Sequence, residues 1–243
     1  MNSNLLKDKV TIVIPTYNEE KYITNTIDRI VLQCYIQGTK VIVADGHSKD
    51  STRKIVNELK DYYDGFIDIE LIDGGNVAYA RNEGAKRSKT KYILFLDADS
   101  PIIEYDSISH NIDLMEKKDL DLLTCKVVSV GSKKRTYIAF KLFNLINYLM
   151  SKITPFAVGG YFLTRTDKFH ELGGFDETLN NSEDYWLSKK YDRKRFTISN
   201  KTYGQDDRRF KKMGYIGMLK LILLNFYHRN NIQYFKKDVG YWN

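Results

Sequence analysis

Three prolines are spread over 243 residues, and no Ser/Gly-rich tract or block of a single charge sign lies between them. Linkers, disordered tails and repeat arrays are built from such stretches, so their lack predicts one compact unit whose two halves share a core. Cysteine is scarce. Cys34 and Cys125 stand far apart and outside any C-x-x-C pair, which excludes a disulfide framework and a structural zinc site and makes a reducing, cytoplasmic setting the expectation. Long apolar runs are missing too. The longest, Ile216 to Leu224, is broken by Lys220 and falls far short of the roughly 20 residues that span a bilayer, and the N-terminus lacks the apolar core of a signal peptide. A soluble chain is expected, or one resting peripherally on a membrane.

Positive charge is in excess: 38 Lys and Arg stand against 31 Asp and Glu, for a net +7 and a pI near 9.1. An anionic partner follows, whether phosphate-bearing small molecule, nucleic acid or acidic membrane, with a solvated cationic face as the alternative. The basic clusters are Lys133-Lys134-Arg135, Arg193-Lys194-Arg195, Arg208-Arg209 with Lys211-Lys212, and Lys236-Lys237, all in the second half.

Short β-rich runs at 10–15, 40–45, 66–72 and 91–97 alternate with helical patterns at 23–34, 49–62 and 76–88. Continuous apolar strands separated by helices predict an α/β fold, a mostly parallel sheet with helices on both faces. Such sheets bind ligands at the carboxyl ends of their strands. The residues there are polar: Thr16-Tyr17-Asn18-Glu19, Asp45-Gly46-His47-Ser48 and Asp97-Ala98-Asp99. Beyond residue 105 the pattern predicts a helix at 107–118, a strand at 120–130, an amphipathic helix at 134–153, a Gly-Gly strand region at 159–164 and then helices to the end.

Asp97 and Asp99 sit two apart where a buried strand leaves the sheet, so both can face one hard cation, Mg²⁺ or Mn²⁺, shared with a diphosphate. A strand-end Asp beside a helix cap is the plainer reading. Asp45 can accept from a nucleotide base N–H, while Ser48, Asp50 and Ser51 read as caps of the next helix and His47 as a surface imidazole. The small residues of 76–85 let that helix lie close to the sheet. Arg81 among them reaches either a nucleotide phosphate or a buried ion pair. Asp184, with Glu183, opens a helix, where a carboxylate is a dipole partner or a general base.

In order along the chain, Pro15-Thr16-Tyr17-Asn18-Glu19-Glu20, Asp45-Gly46-x-Ser48-x-Asp50-x-Thr52, Ala80-Arg81-Asn82-x-Gly84, Asp97-Ala98-Asp99, Gly173-Gly174-Phe175-Asp176-Glu177, Glu183-Asp184 and Asp207-Arg208-Arg209-Phe210 resemble a family 2 glycosyltransferase of the GT-A fold. The resemblance runs over about residues 10–215. It implies a Rossmann-like donor half at 1–105, an acceptor half at 106–243, and sugar transfer from a nucleotide-sugar, UDP first and GDP next, to a glycan, lipid-linked or protein-linked hydroxyl with inversion. Position by position, it implies that Thr16, Tyr17 and Glu19 line the base and ribose pocket, that Asp45 meets the base, and that Arg81 supports the nucleotide. Asp97 and Asp99 would hold the metal and diphosphate, Arg208 and Arg209 would offer guanidinium forks, and Asp184 would be the general base. The chain departs from the Gln-x-x-Arg-Trp pattern of processive members with Gln205-Asp206-Asp207-Arg208-Arg209-Phe210, which argues for single-sugar transfer.

Three other readings compete. A haloacid-dehalogenase-like phosphatase would use Asp97 as nucleophile and Asp99 as acid/base, but its motif normally opens the fold and its downstream companions are missing. A nucleotidyltransferase would need a Gly-rich loop where Pro15-Thr16-Tyr17-Asn18 stands. A non-enzymatic basic protein accounts for the charge and leaves three polar strand ends unexplained, so no nucleic acid is expected. Two apolar-basic stretches, Arg135 to Ile153 and Tyr215 to Tyr234, pack on the sheet or lie in a membrane interface; packing is favoured for the first and membrane for the second, where Leu219, Leu221 to Leu224, Phe226 and Tyr227 exceed one buried face.

Overall fold

The computed structural model describes residues 5–131 and 133–237. The β-rich runs of the first half form β1 (Val10–Thr16), β2 (Lys40–Asp45), β3 (Asp68–Asp73) and β4 (Tyr92–Phe95), alternating with α1 (Ile23–Val31), α2 (Thr52–Tyr62) and α3 (Val77–Lys86). β1 and β4 are buried along their whole length, as strands between two helical layers must be. The second half adds α4 (Ser107–Lys117), β5 (Leu122–Ser129), α5 (Lys134–Met150), β6 (Phe162–Arg165), α6 (Thr166–Glu171), α7 (Glu183–Ser188), β7 (Phe196–Gln205), α8 (Arg208–Tyr227) and α9 (Ile232–Phe235).

All seven strands form one sheet in the order β3-β2-β1-β4-β6-β5-β7. β6 runs antiparallel to β4 and β5, and the other pairs are parallel. Both halves therefore meet inside one sheet, at the β4–β6 pair that sets Phe95 opposite Phe162. Alternate side chains sort the core. Ile12, Ile14, Val43 and Leu94 face α1, α2, α4 and α5, while Val13, Ile42, Ile93 and Phe95 face α3, α6 and α7.

β7 corrects the expectation of helices alone after residue 164. Its buried positions, Phe196, Ser199, Tyr203 and Gly204, follow no period of two, and its middle, Ser199-Asn200-Lys201-Thr202, is polar. Pairing with β5 makes it a strand, across a register shift between Thr124 and Lys126. The packing expected of 134–153 is only partly met: α5 buries Thr136, Phe140 and Asn147 and leaves most of its apolar side chains outside. α8 is kinked at Gly214, where φ is 70°.

Candidate active site

Because β1, β2 and β4 are adjacent and parallel, the loops that leave their carboxyl ends lie side by side. The first two are laced together. Asn18 N donates to Ser48 Oγ (2.8 Å), Lys49 N to Asn18 Oδ1 (2.8 Å), and Glu19 N to Thr52 Oγ1 (2.8 Å). Asn18 and His47 both take positive φ, and His47 is exposed. Ser51 departs from its expected role. It makes no side-chain cap bond, and Asp50 instead accepts from Thr52 N at 3.0 Å.

Asp45 is fully buried at the end of β2. Its oxygens accept from Thr16 Oγ1 (3.0 Å), Ser48 N (2.9 Å), Ser48 Oγ (2.5 Å) and Arg53 Nη1 (3.2 Å). A base that meets Asp45 must share or displace these donors. Tyr17, beside them, has half its surface open.

Arg81 takes the buried ion pair of its two readings. α3 lies so close to β1 that a Cβ on Gly84 would fall 2.3 Å from Val13 Cγ1, and this approach carries Arg81 beneath the site. Its Nη2 donates to Asp97 Oδ1 at 2.6 Å, its Nη1 to Glu183 Oε1 at 2.5 Å, and its Cζ stands 5.2 Å from the Phe175 ring centre. Burial opposes its charge, but Asp97 and Glu183 more than offset this and hold its pKa above the usual value. Arg81 thus ties the end of β4 to the start of α7.

Asp184, the next residue, accepts from Gly159 N (2.8 Å) and Tyr185 N (2.7 Å). Burial, with the charge of Glu183, pushes its carboxyl up to about 7 against the opposing pull of Arg81. Gly159 was not singled out in the sequence, although the Gly159-Gly160 doublet marks it. A Cβ there would lie 2.3 Å from Arg81 Nη2, so a side chain at 159 would have to push the guanidinium away from its ion pairs.

On the other side, Arg208 at the start of α8 forks onto Glu19 (2.9 and 2.8 Å) and reaches Asp99 Oδ2 at 2.8 Å, with its Cζ 4.9 Å from the Tyr22 ring centre. The side chain of Arg209 lies outside what the structure describes. Among the described residues no three His, Cys, Asp or Glu side chains converge as a complete metal cage. The donor set nonetheless fits a hard cation that takes its remaining oxygens from a ligand. Asp99 already holds a positive group, and its neighbour Asp97 offers the same chemistry.

The doubly covered, mostly parallel sheet with acidic loops at its carboxyl edge is the GT-A architecture. TarS of Staphylococcus aureus shares it at TM-score 0.63 and 21% identity over 84% of this chain and 38% of its own. The mannosyltransferase PcManGT of Pyrobaculum calidifontis, solved with GDP-Man and Mn²⁺, shares it at 0.65 and 21% over 81% and 56%. The chain belongs to glycosyl transferase family 2, whose model matches residues 11–173. Among curated relatives, a teichoic acid poly(glycerol phosphate) polymerase of Staphylococcus epidermidis is 36% identical over 99 residues, covering 40% of this chain and 14% of the polymerase. An uncharacterized glycosyltransferase of Rickettsia prowazekii is 27% identical over 206 residues, or 79% of this chain and 61% of the relative. The chain thus spans less than two thirds of the length of either. Family membership leaves the phosphatase and non-enzymatic readings without support.

Proposed function

We propose that the chain transfers one sugar from a nucleoside diphosphate donor, UDP-linked first, to an acceptor hydroxyl with inversion at the anomeric carbon. The observation that carries this reading is the pairing of two carboxylates across one buried arginine: Asp97 on Arg81 from the β4 end, and Glu183, the residue before Asp184, on the same arginine from α7. An inverting displacement needs charge neutralised at the departing diphosphate and a base on the attacking side.

In this reading residues 1–105 hold the donor and 106–243 the acceptor. Thr16 and Tyr17 flank the base with Asp45, and Glu19 stands by the ribose. Asp97 and Asp99 hold Mn²⁺ or Mg²⁺, which supplies Lewis-acid neutralisation of the leaving diphosphate. Arg208 moves its fork from Glu19 and Asp99 to the diphosphate. Asp184, kept in place by the Gly159 and Tyr185 amides, takes the proton of the acceptor hydroxyl as it attacks. The UDP-GlcNAc and UDP complexes of residues 1–349 of S. aureus TarS support a UDP donor, and the GDP-Man and Mn²⁺ complex of PcManGT supports the metal.

A thermal-shift panel of UDP, GDP, CMP and dTDP with Mn²⁺, Mg²⁺ or EDTA tests it, since a ligand bound only by the folded state raises the melting temperature. A shift with UDP that EDTA removes is expected. No shift with any nucleotide overturns the reading.

A further inference from the structure

Charge in this chain is segregated. Residues 122–166 and 208–237 contain fifteen of the 38 Lys and Arg and none of the 31 Asp and Glu. They include α5 and α8, whose first halves touch through Phe140 against Phe210 (ring centres 5.6 Å apart) and Thr136 against Tyr215 (hydroxyls 2.9 Å apart). Thr136, Phe140 and Asn147 of α5 are buried. The rest of the helix shows Ile138, Leu142, Leu145 and Leu149 to solvent, each more than half exposed, with Ile153 beyond its end. α8 adds Ile216 and Leu223. Exposed leucines and isoleucines scattered singly need no explanation; a run of them on helices without one acidic residue does.

Basic and aromatic side chains flank these residues. Lys133, Lys134, Arg135, Lys141, Lys152, Lys211, Lys212 and Lys220 are all exposed. Lys141 Nζ lies 4.6 Å from the Tyr137 ring centre and Lys152 Nζ 4.5 Å from that of Tyr148. Long amines beside tyrosines around an apolar centre suit a lipid interface, where alkyl and ring surfaces enter the acyl boundary and the amines reach the phosphates. A second copy of the chain would set this cationic rim against itself and lose by like-charge repulsion. An anionic bilayer gains from every amine.

We propose that α5 and α8 form a docking surface for an anionic membrane leaflet. The surface adjoins the reaction site: Arg208 opens α8, and Phe143 of α5 packs on Phe156, which packs on Tyr185 beside Asp184. Docking would therefore hold the acceptor side of the site near the lipid headgroups. The docking itself does not depend on the chemistry assigned to that site.

Co-sedimentation with vesicles tests it, using phosphatidylcholine alone and with about 30 mol % phosphatidylglycerol, at about 0.1 M and 0.5 M NaCl. Partitioning is expected to rise about tenfold or more with the anionic lipid and to fall at high salt. Leu145→Glu should abolish binding. Tyr62→Glu, which places the same charge on the exposed α2, should leave it intact. Circular dichroism of both variants checks that they fold. Equal binding to both vesicle types, equal effects of both substitutions, or a dimer in light scattering that Leu145→Glu dissolves would each overturn the proposal.

Discussion

Arg208 holds Asp99 at the position proposed for the metal, so guanidinium and cation would compete for one carboxylate. The guanidinium bridges Glu19 and Asp99 where a cation is proposed, so its removal takes one positive charge away from both carboxylates. Arg208→Ala is therefore expected to strengthen Mn²⁺ binding in the absence of nucleotide, by EPR titration, and to weaken UDP binding in the presence of Mn²⁺. Both affinities moving the same way would count against the assignment. Asp99→Asn should remove metal-dependent UDP binding, whereas Asp184→Asn should keep it and stop transfer. The proposed role of Asp184 as the base also predicts a pH dependence. Its active form is the carboxylate, and burial raises its pKa to about 7, so kcat/KM should climb about tenfold per pH unit below that value and level off above it. A profile flat from pH 5 to 8 in the parent enzyme would remove Asp184 as the base. Arg81 works through structure. Arg81→Met strands Glu183 in the interior and removes the partner of the part-buried Asp97, and a loss of about 3–5 kcal/mol in denaturant unfolding is expected.

At the scale of elements, the sequence exposes what repeats and hides what is settled by distant partners. The strands of the first half read directly because apolar residues dominate β1, β2 and β4 and alternate with acidic ones in β3, and α3 reads because Ala78, Ala80, Gly84 and Ala85 are small where the helix meets the sheet. Gly84→Ala should cost about 1–3 kcal/mol, since Val13 has no room to retreat within β1; a change below about 0.5 kcal/mol would mean that α3 lifts freely. β7 stayed hidden because its burial comes from β5 and from Tyr203 lying over Tyr161, not from a local pattern. The site followed the same division. Thr16, Glu19, Asp45, Asp97 and Asp99 could be listed from strand ends, but the pairing of Arg81 with Glu183 spans 102 positions, and the fork of Arg208 on Glu19 spans 189. Which carboxylate a guanidinium takes is decided by the fold, and no spacing along the chain encodes it.

For the whole molecule, the β4–β6 pair decides how the chain unfolds. A chain of 243 residues for which two functional halves are proposed would melt in two steps if each half were its own folding unit, since larger chains commonly populate intermediates. Here the first half ends on β4, a strand buried from Tyr92 to Phe95 whose next neighbour is β6 of the second half. Unfolding the second half alone would bare that edge together with Phe95, which packs on Phe162, Phe169 and Phe175. A single cooperative transition is therefore expected. The two cysteines offer a direct probe: Cys34 is exposed and Cys125 is buried in β5 of the second half. Cys34 should react with a thiol reagent at once, and Cys125 only as far-UV circular dichroism reports loss of the whole fold. Labelling of Cys125 at a denaturant concentration that leaves most of the ellipticity intact would show the second half opening by itself, and the shared sheet would then be a contact between two domains and not their common core.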